Sequence, residues 1–263
     1  MAQFFSRPDA WLSRCGDLRC QVTETIVPEA PAFLRGLRAV FAADLHVLPR
    51  TSEGALSALA ARIRALEPDL ILLGGDYADR TEDCARLFRA LKPLETPLGC
   101  FGIVGNNDRE AWDDPDGLRR IMEAAGARLL LNEAVTLPVG GGALCLAGID
   151  DYRHGDPRPE GLLPAEAAPD RYRVMLSHFA WPVSPMPELM LCGHTHGGQF
   201  NLLGVTPFTI GFERILRRGA PSVFISGLHE IGGGRMLVTK GVGASRIQLR
   251  VGVRPEIHLL RFG

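Results

Sequence analysis

Along the chain, short apolar runs alternate with amphipathic stretches, and most of the runs end in a polar loop. "LRAVFAAD" reads as a buried strand ending at Asp44. "TSEGALSALAARIRAL" follows, with Thr51 or Ser52 as N-cap and Leu56, Leu59, Ala60, Ile63 and Leu66 on one helical face. "DLILLGGD" is the next strand, ending at Asp76, and "TEDCARLFRAL" the next helix, with Thr81 as its cap and Glu82 and Asp83 in the first turn. "GCFGIVGNND" reads as a third strand and loop, followed by a helix over 111–124.

Beyond that helix the rhythm changes. "ARLLL", "AVTLPV" and "ALCLAGI" read as neighbouring strands joined by short turns, and "RYRVMLSH" and "ELMLCGHTH" as two more strand-to-loop transitions. "SVFISG", "RMLVTKG", "SRIQLRV" and "EIHLL" complete a strand-rich, glycine-rich tail. A βα-like front half and a mainly β back half predict two packed sheets with helices outside, a layered α/β architecture in one domain over 1–263.

Hydrophobic residues make up 46% of the 263 and charged residues 22%, an ordinary globular balance. The formal net charge of −1, with no basic stripe, argues against a general nucleic-acid binder. The six cysteines show neither C-x-x-C nor zinc-finger spacing, which suits a reduced, cytoplasmic compartment. Cys15 and Cys20 could pair, with little reason to expect it. No stretch approaches the roughly 20 apolar residues of a membrane span, and the start lacks the apolar core of a signal peptide.

Two segments raise the question of a surface. Residues 1–20 place Phe4, Phe5, Trp11 and Leu12 among Arg7 and Arg14, which fits either a weak interfacial anchor on the inner membrane or an extension packed on the domain. The segment "FNLLGVTPFTIGFERILRR" reads equally as a flap toward an acyl chain or bilayer and as a packed element with a basic edge. Its Arg214, Arg217 and Arg218 read first as a solvated face.

Chemistry gathers at five strand ends: Asp44-Leu45-His46, Gly75-Asp76, Asn106-Asn107-Asp108, His178, and His194-Thr195-His196. If these strands lie side by side, their loops converge on one crevice at the carboxyl ends. The donors are carboxylate, amide and imidazole, a set that suits Mn²⁺, Fe or Zn²⁺ better than Ca²⁺. They suffice for two ions sharing one carboxylate, a pair that can bind a phosphate ester and activate water.

The ordered strings "DLH", "GGD", "GNND", "SH" and "GHTH" resemble the calcineurin-like metallophosphoesterases, whose pattern is D-x-H, G-D, G-N-H-D, H and G-H-x-H. The resemblance implies a four-layer αββα sandwich of two mixed sheets flanked by helices, with a dinuclear centre, most simply Mn²⁺. It implies that Asp44, His46 and His196 hold one metal, that Asn106, His178 and His194 hold the other, and that Asp76 bridges them. "GHTHGGQF", "TKGVGASRIQLR" and "RPEIHLLRF" look like a bacterial branch that includes membrane-associated phosphodiesterases and a UDP-2,3-diacylglucosamine hydrolase of lipid A synthesis.

One position departs from the pattern. Asn107 stands where the family has a histidine that protonates the leaving group or stabilises the transition state, with the next residue, here Asp108, orienting it. Asparagine donates a hydrogen bond but delivers no proton near neutral pH. The expectation is a hydrolase for substrates whose leaving group needs none: a pyrophosphate such as UDP-2,3-diacylglucosamine, or an activated diester. The alternative is a weakened, metal-bearing scaffold for a phosphorylated partner, and a protein phosphatase is a third class. His154, in "GIDDYRHGDP", reads as a loop histidine within possible reach of the site, the solvated reading favoured; His229 and His258 have no motif support.

Overall fold

The computed structural model describes residues 12–112, 114–207, 209, 224–244 and 247–263. A six-stranded sheet has the order β2 (Gln21–Val27), β14 (Glu256–Phe262), β3 (Arg38–Ala42), β4 (Leu70–Leu73), β5 (Cys100–Gly102), β6 (Ala127–Leu129). All neighbours in it are parallel except β14 and β3. A second six-stranded sheet has the order β11 (Gly227–Ile231), β12 (Gly234–Val238), β10 (Leu189–Cys192), β9 (Arg171–Ser177), β8 (Gly142–Gly148), β7 (Glu133–Val139). Its central four strands are parallel and its edge strands antiparallel. β1 (Leu12–Arg14) pairs with β13 (Leu249–Val251) in a separate ribbon.

The two sheets stack as the apolar runs require. Val27, Phe41, Leu72, Phe101 and Leu260 of the first sheet meet Leu146, Val174, Leu176, Leu191 and Leu237 of the second in one buried core. Strands covered on both faces read as continuous apolar runs, which is why "LILL" and "LMLC" carry no alternation. On the first sheet's outer face lie helices α1 (Glu53–Arg64), α2 (Thr81–Leu91) and α4 (Pro115–Ala124), burying Leu56, Ile63, Leu87, Phe88 and Leu118. The outer face of the second sheet carries Met175, Met190, Met236 and Val238; among the described residues Tyr152, Leu162, Leu163, Val183 and Phe224 pack against it. The mixed two-sheet sandwich expected from the sequence is thus present.

Local differences have local causes. Ser52 caps α1, its Oγ accepting from the Ala55 N–H. Arg80 rather than Thr81 is the N-cap of α2, so Thr81 is already helical. The chain turns helical at Asn106, giving α3 (Asn106–Ala111), and α4 starts afresh at Pro115 behind the Asp114 cap. "ARLLL" does not neighbour "AVTLPV": β6 closes the edge of the first sheet and β7 the edge of the second, the chain crossing between them at 130–132. Of "SVFISG", Ser222 and Val223 lie outside the described residues, residues 224–226 are not in a strand, and the strand runs Gly227–Ile231. All six cysteines are unpaired and buried, Cys15 and Cys20 included. The aromatic part of the N-terminal extension, through Trp11, and the arginines at 214–218 lie outside the described residues. No helix among the described residues is long and apolar enough to cross a membrane.

Candidate metal centre

The carboxyl ends of β3, β4 and β5 and those of β9 and β10 open on the same crevice, so loops from both sheets meet there. The His178 ring reaches the Gly74 carbonyl at 2.8 Å, and the His194 N–H donates to both Asp44 carboxylate oxygens at 3.1 Å. The loops carrying Asp76 and Asn106 touch backbone to backbone. A Cβ on Gly75, whose φ is +85°, would overlap the Gly105 nitrogen, and a Cβ on Gly105 would overlap Asp76 Oδ1. That is what the two glycines bordering these donors are for.

The backbone is strained where the donors sit. Eleven non-glycine residues among those described have positive φ, and five of them are Asp44, His46, Asp76, His194 and His196. Each left-handed residue of this kind costs on the order of 1 kcal/mol or more, so their concentration at one crevice marks a functional arrangement.

Two buried triplets have ligand atoms within 4.8 Å of one another: Asp44, His46 and His196, and Asp44, Asp76 and His178. Asp76 Oδ2 lies 3.5 Å from His46 Nε2 and 3.3 Å from His178 Nε2, between the two histidines. His46 Nε2 and His196 Nε2 face each other at 3.3 Å. His194 belongs to neither triplet, but its ring lies 5.2 Å from that of His178. Six of the seven predicted donors are therefore together in space, with Asp44 common to both triplets and Asp76 between two imidazoles; the seventh, Asn106, follows Gly105 in the loop that touches Asp76.

These donors suit divalent cations. His178 Nδ1 is committed to the Gly74 carbonyl, which turns Nε2 toward Asp76 Oδ2 at 3.3 Å, where loss of its proton would free a lone pair for a cation; neither that nitrogen nor Asn106 Oδ1, both buried, is satisfied by a hydrogen bond. A buried donor with no partner is costly unless a ligand completes it. Burial alone would lower the His178 pKa, but the Asp76 and Asp44 carboxylates and the Gly74 carbonyl outweigh it and hold it up at about 10. Asp76 falls below the ordinary carboxylate range although burial opposes this, because His178, His46 and the Asn107 N–H stabilise its charge. A field that holds a proton on a buried imidazole also favours a cation in that proton's place.

Residues outside the sequence motifs complete the surroundings. Asp79 Oδ1 lies 3.3 Å from His46 Nδ1, the carboxylate–imidazole arrangement that fixes a tautomer and leaves Nε2 free to ligate. Arg250, fully buried, places Nη2 3.1 Å from His196 Nδ1 and also reaches the carbonyls of Gly243 and Lys240. Asp79 sits three residues past Asp76, a spacing that could have drawn attention; Arg250 lies in a late strand with no local signal.

Asp108 takes N–H bonds from Gly105, Asp76 and Tyr77 at 2.8, 2.7 and 2.9 Å, clamping the two loops. Both its oxygens are thus engaged by backbone. Asn107 is at the rim: its Nδ2 lies 3.2 Å from His46 Nδ1 and 3.4 Å from Asp79 Oδ1, and its N–H donates to Asp76 Oδ1 at 2.9 Å. His154 is exposed, with its backbone N–H held by Asp151. His258 is buried between Thr25 and Thr239, and His229 bonds the Ser226 carbonyl.

Asp79→Asn is expected to lower metal affinity and turnover by about 10–100-fold, because His46 loses the charge that holds its tautomer. Titration of Mn²⁺ by calorimetry checks it; unchanged affinity would remove Asp79 from the site.

The calcineurin-like phosphoesterase family model matches residues 37–198. Phosphodiesterase YaeI of Escherichia coli is 31% identical over 229 residues, covering 84% of this chain and 80% of that protein. The uncharacterised metallophosphoesterase YkuE of Bacillus subtilis is 28% identical over 230 residues, covering 84% and 77%. A shorter match, 38% identical over 92 residues and covering 34% of this chain and 28% of the other, is to UDP-2,3-diacylglucosamine pyrophosphatase LpxG of Chlamydia trachomatis.

Proposed function

The chain belongs to the calcineurin-like phosphoesterases and is a phosphoester hydrolase; from that premise we propose that it cleaves a pyrophosphate or an activated phosphodiester at a dinuclear centre. In this reading Asp44, His46 and His196 hold one cation, Asn106, His178 and His194 the other, and Asp76 both, with Mn²⁺ the metal that suits the mixed oxygen and imidazole set. The observation that carries it is two buried ligand atoms that no hydrogen bond satisfies, His178 Nε2 and Asn106 Oδ1, the former 3.3 Å from a charged Asp76.

Bound there, a pair of divalent cations supplies Lewis acidity toward phosphoryl oxygens and activates the attacking water. The protein's own groups set the geometry. Gly74 and Asp79 fix the orientation of His178 and His46. Asp108 holds the loops of Asp76 and Asn106 against each other. Asn107, at the rim, offers a hydrogen bond to a phosphoryl oxygen and no proton to the departing group. The substrate is then one whose leaving group departs as an anion. The short match to a UDP-2,3-diacylglucosamine pyrophosphatase supports a nucleotide-linked lipid as a candidate. In this reading Leu202, Leu203 and Val205, exposed at a turn beyond the GHTH loop, would meet its acyl chains or a membrane surface.

Chelation tests this reading. Stripping with EDTA is expected to abolish hydrolysis of bis-p-nitrophenyl phosphate, and added Mn²⁺ to restore it. At a metal concentration about 100 times Kd, restored binding stabilises the fold by about 2.7 kcal/mol, read as a rise in Tm. A rise in Tm with no turnover on any phosphate ester would favour the scaffold reading that Asn107 raises.

A further inference from the structure

Three aromatic rings lead away from the candidate metal centre. Phe179 follows His178 and lies against the His194 ring, centroids 3.9 Å apart and planes 30° apart. Trp181 packs on Phe179 at 5.1 Å. Tyr152, from the loop after β8, meets Trp181 edge-on at 4.7 Å and Phe179 at 6.4 Å. Phe179 is buried, whereas Tyr152 and Trp181 are half-buried. Tyr152 leans on the methionine-rich outer core of the second sheet; Trp181 stands outside that core.

The loop that presents Tyr152 is held stiffly. Asp150 receives the Arg109 guanidinium through Nε, at 2.8 Å, and Nη2, and also the N–H groups of Asp151 and Asp156 at 2.7 and 2.9 Å. Asp151 receives those of Arg153 and His154 at 2.9 and 2.6 Å. Asn132 Oδ1 accepts from the N–H groups of Asp150 and Arg158. Arg109 belongs to α3, the helix that begins with Asn106 and Asn107. The ion pair of half-buried Arg109 with buried Asp150 thus ties the aromatic loop to the candidate metal site, and the exposed Arg153 and His154 follow Tyr152 in the chain.

We propose that Trp181 and Tyr152, continued inward by Phe179, form a stacking shelf for a nucleobase, so that the substrate is a nucleoside phosphate ester with its phosphate at the metal centre. The inference rests on the hydrolase reading and narrows its substrate. Half-buried aromatic rings, one of them on a stiffly held loop, are what base stacking uses, and every base offers a planar face. The ring series starts at the His194 ring, so a base on Trp181 would be linked through Phe179 to a phosphate among the candidate ligands. The alternative, rings that only stiffen the loop, makes no distinction between ligands with and without a base.

The test compares uridine 5′-monophosphate with ribose 5-phosphate, titrated by calorimetry into Mn²⁺-loaded full-length protein. The wild type is expected to bind the nucleotide about tenfold more tightly, and Trp181→Leu and Tyr152→Leu to erase most of that ratio. Tryptophan fluorescence gives a second readout: the nucleotide quenches the wild type and Trp112→Phe, and the quench is lost in Trp181→Phe. Equal affinities for the two ligands in the wild type, or a tenfold ratio that survives in Trp181→Leu, overturn the shelf. Binding of neither ligand overturns it as well. Turnover of bis-p-nitrophenyl phosphate by the wild type then shows whether the hydrolase reading stands without the shelf or falls with it.

Discussion

Asp76→Asn loses at least about 10³-fold in turnover of a phosphodiester and much of its bound metal while remaining folded. The carboxylate lies between His46 Nε2 and His178 Nε2, at 3.5 and 3.3 Å, and is fully buried. Among the described residues Asp76 alone pairs with both imidazoles, Asp79 pairing with His46 and Asp44 with His178. Asparagine has the same shape, and its amide oxygen can still accept the Asn107 N–H that Asp76 Oδ1 accepts at 2.9 Å. The loop therefore keeps its backbone bonds and the crevice loses one negative charge. In a buried site that charge is poorly screened, and two cations held close together depend on it most. Metal content by mass spectrometry, hydrolysis rate and thermal unfolding are measured on the same preparation. A variant that kept both metals and lost less than about tenfold in rate would show that Asp44, the carboxylate common to both donor triplets, is the one that matters.

The candidate donors Asp44, His46, Asp76, Asn106, His178, His194 and His196 could be picked out because each follows an apolar run. A polar residue at the end of a buried strand is expensive, so repetition of the pattern carries information that no single occurrence does. The two sheets were legible for a related reason: strands buried on both faces are apolar throughout, and "LILL" or "LMLC" fits little else. What the residues could not convey was pairing across long separations. The passage of the chain from β6 to β7, which divides the two sheets, spans only 130–132 and looks like an ordinary turn. Arg250 reaches His196 across a separation of 54 residues, and Asp79 and His46 meet across 33. Asp108 reads in sequence as a partner of residue 107, yet its oxygens take the N–H groups of Asp76, Tyr77 and Gly105, because α3 begins at Asn106 and turns the Asp108 carboxylate toward those loops. Aromatic residues after a strand end look like core. That Trp181 and Tyr152 are half-buried and in contact emerges only once the ends of β8 and β9 are side by side.

Asn107→His is expected to raise hydrolysis of an alkyl phosphodiester by about 10²-fold and that of a p-nitrophenyl diester far less. A positioned general acid contributes roughly 10²–10⁴-fold where the leaving group is a poor anion. A nitrophenolate departs unaided, so the ratio between the two substrates isolates proton delivery from binding. Geometry favours the new imidazole. The Asn107 side chain already lies 3.4 Å from Asp79 Oδ1, a carboxylate able to orient a histidine placed there, and the N–H of residue 107 anchors to Asp76 whatever its side chain. The same carboxylate lies 3.3 Å from His46 Nδ1, so sharing it costs His46 some of its support. A modest fall in metal affinity is therefore expected alongside the gain in rate. The alkyl substrate should also acquire a high-pH limb near the ordinary histidine pKa of about 6.5, or above it, since the acid works only while protonated. The wild type should lack that limb. Equal gains on both substrates would mean that the new side chain merely tightens binding. No gain on either would mean that the native substrate's leaving group was never limited by a missing proton, and the pyrophosphate assignment would lose its chief chemical support.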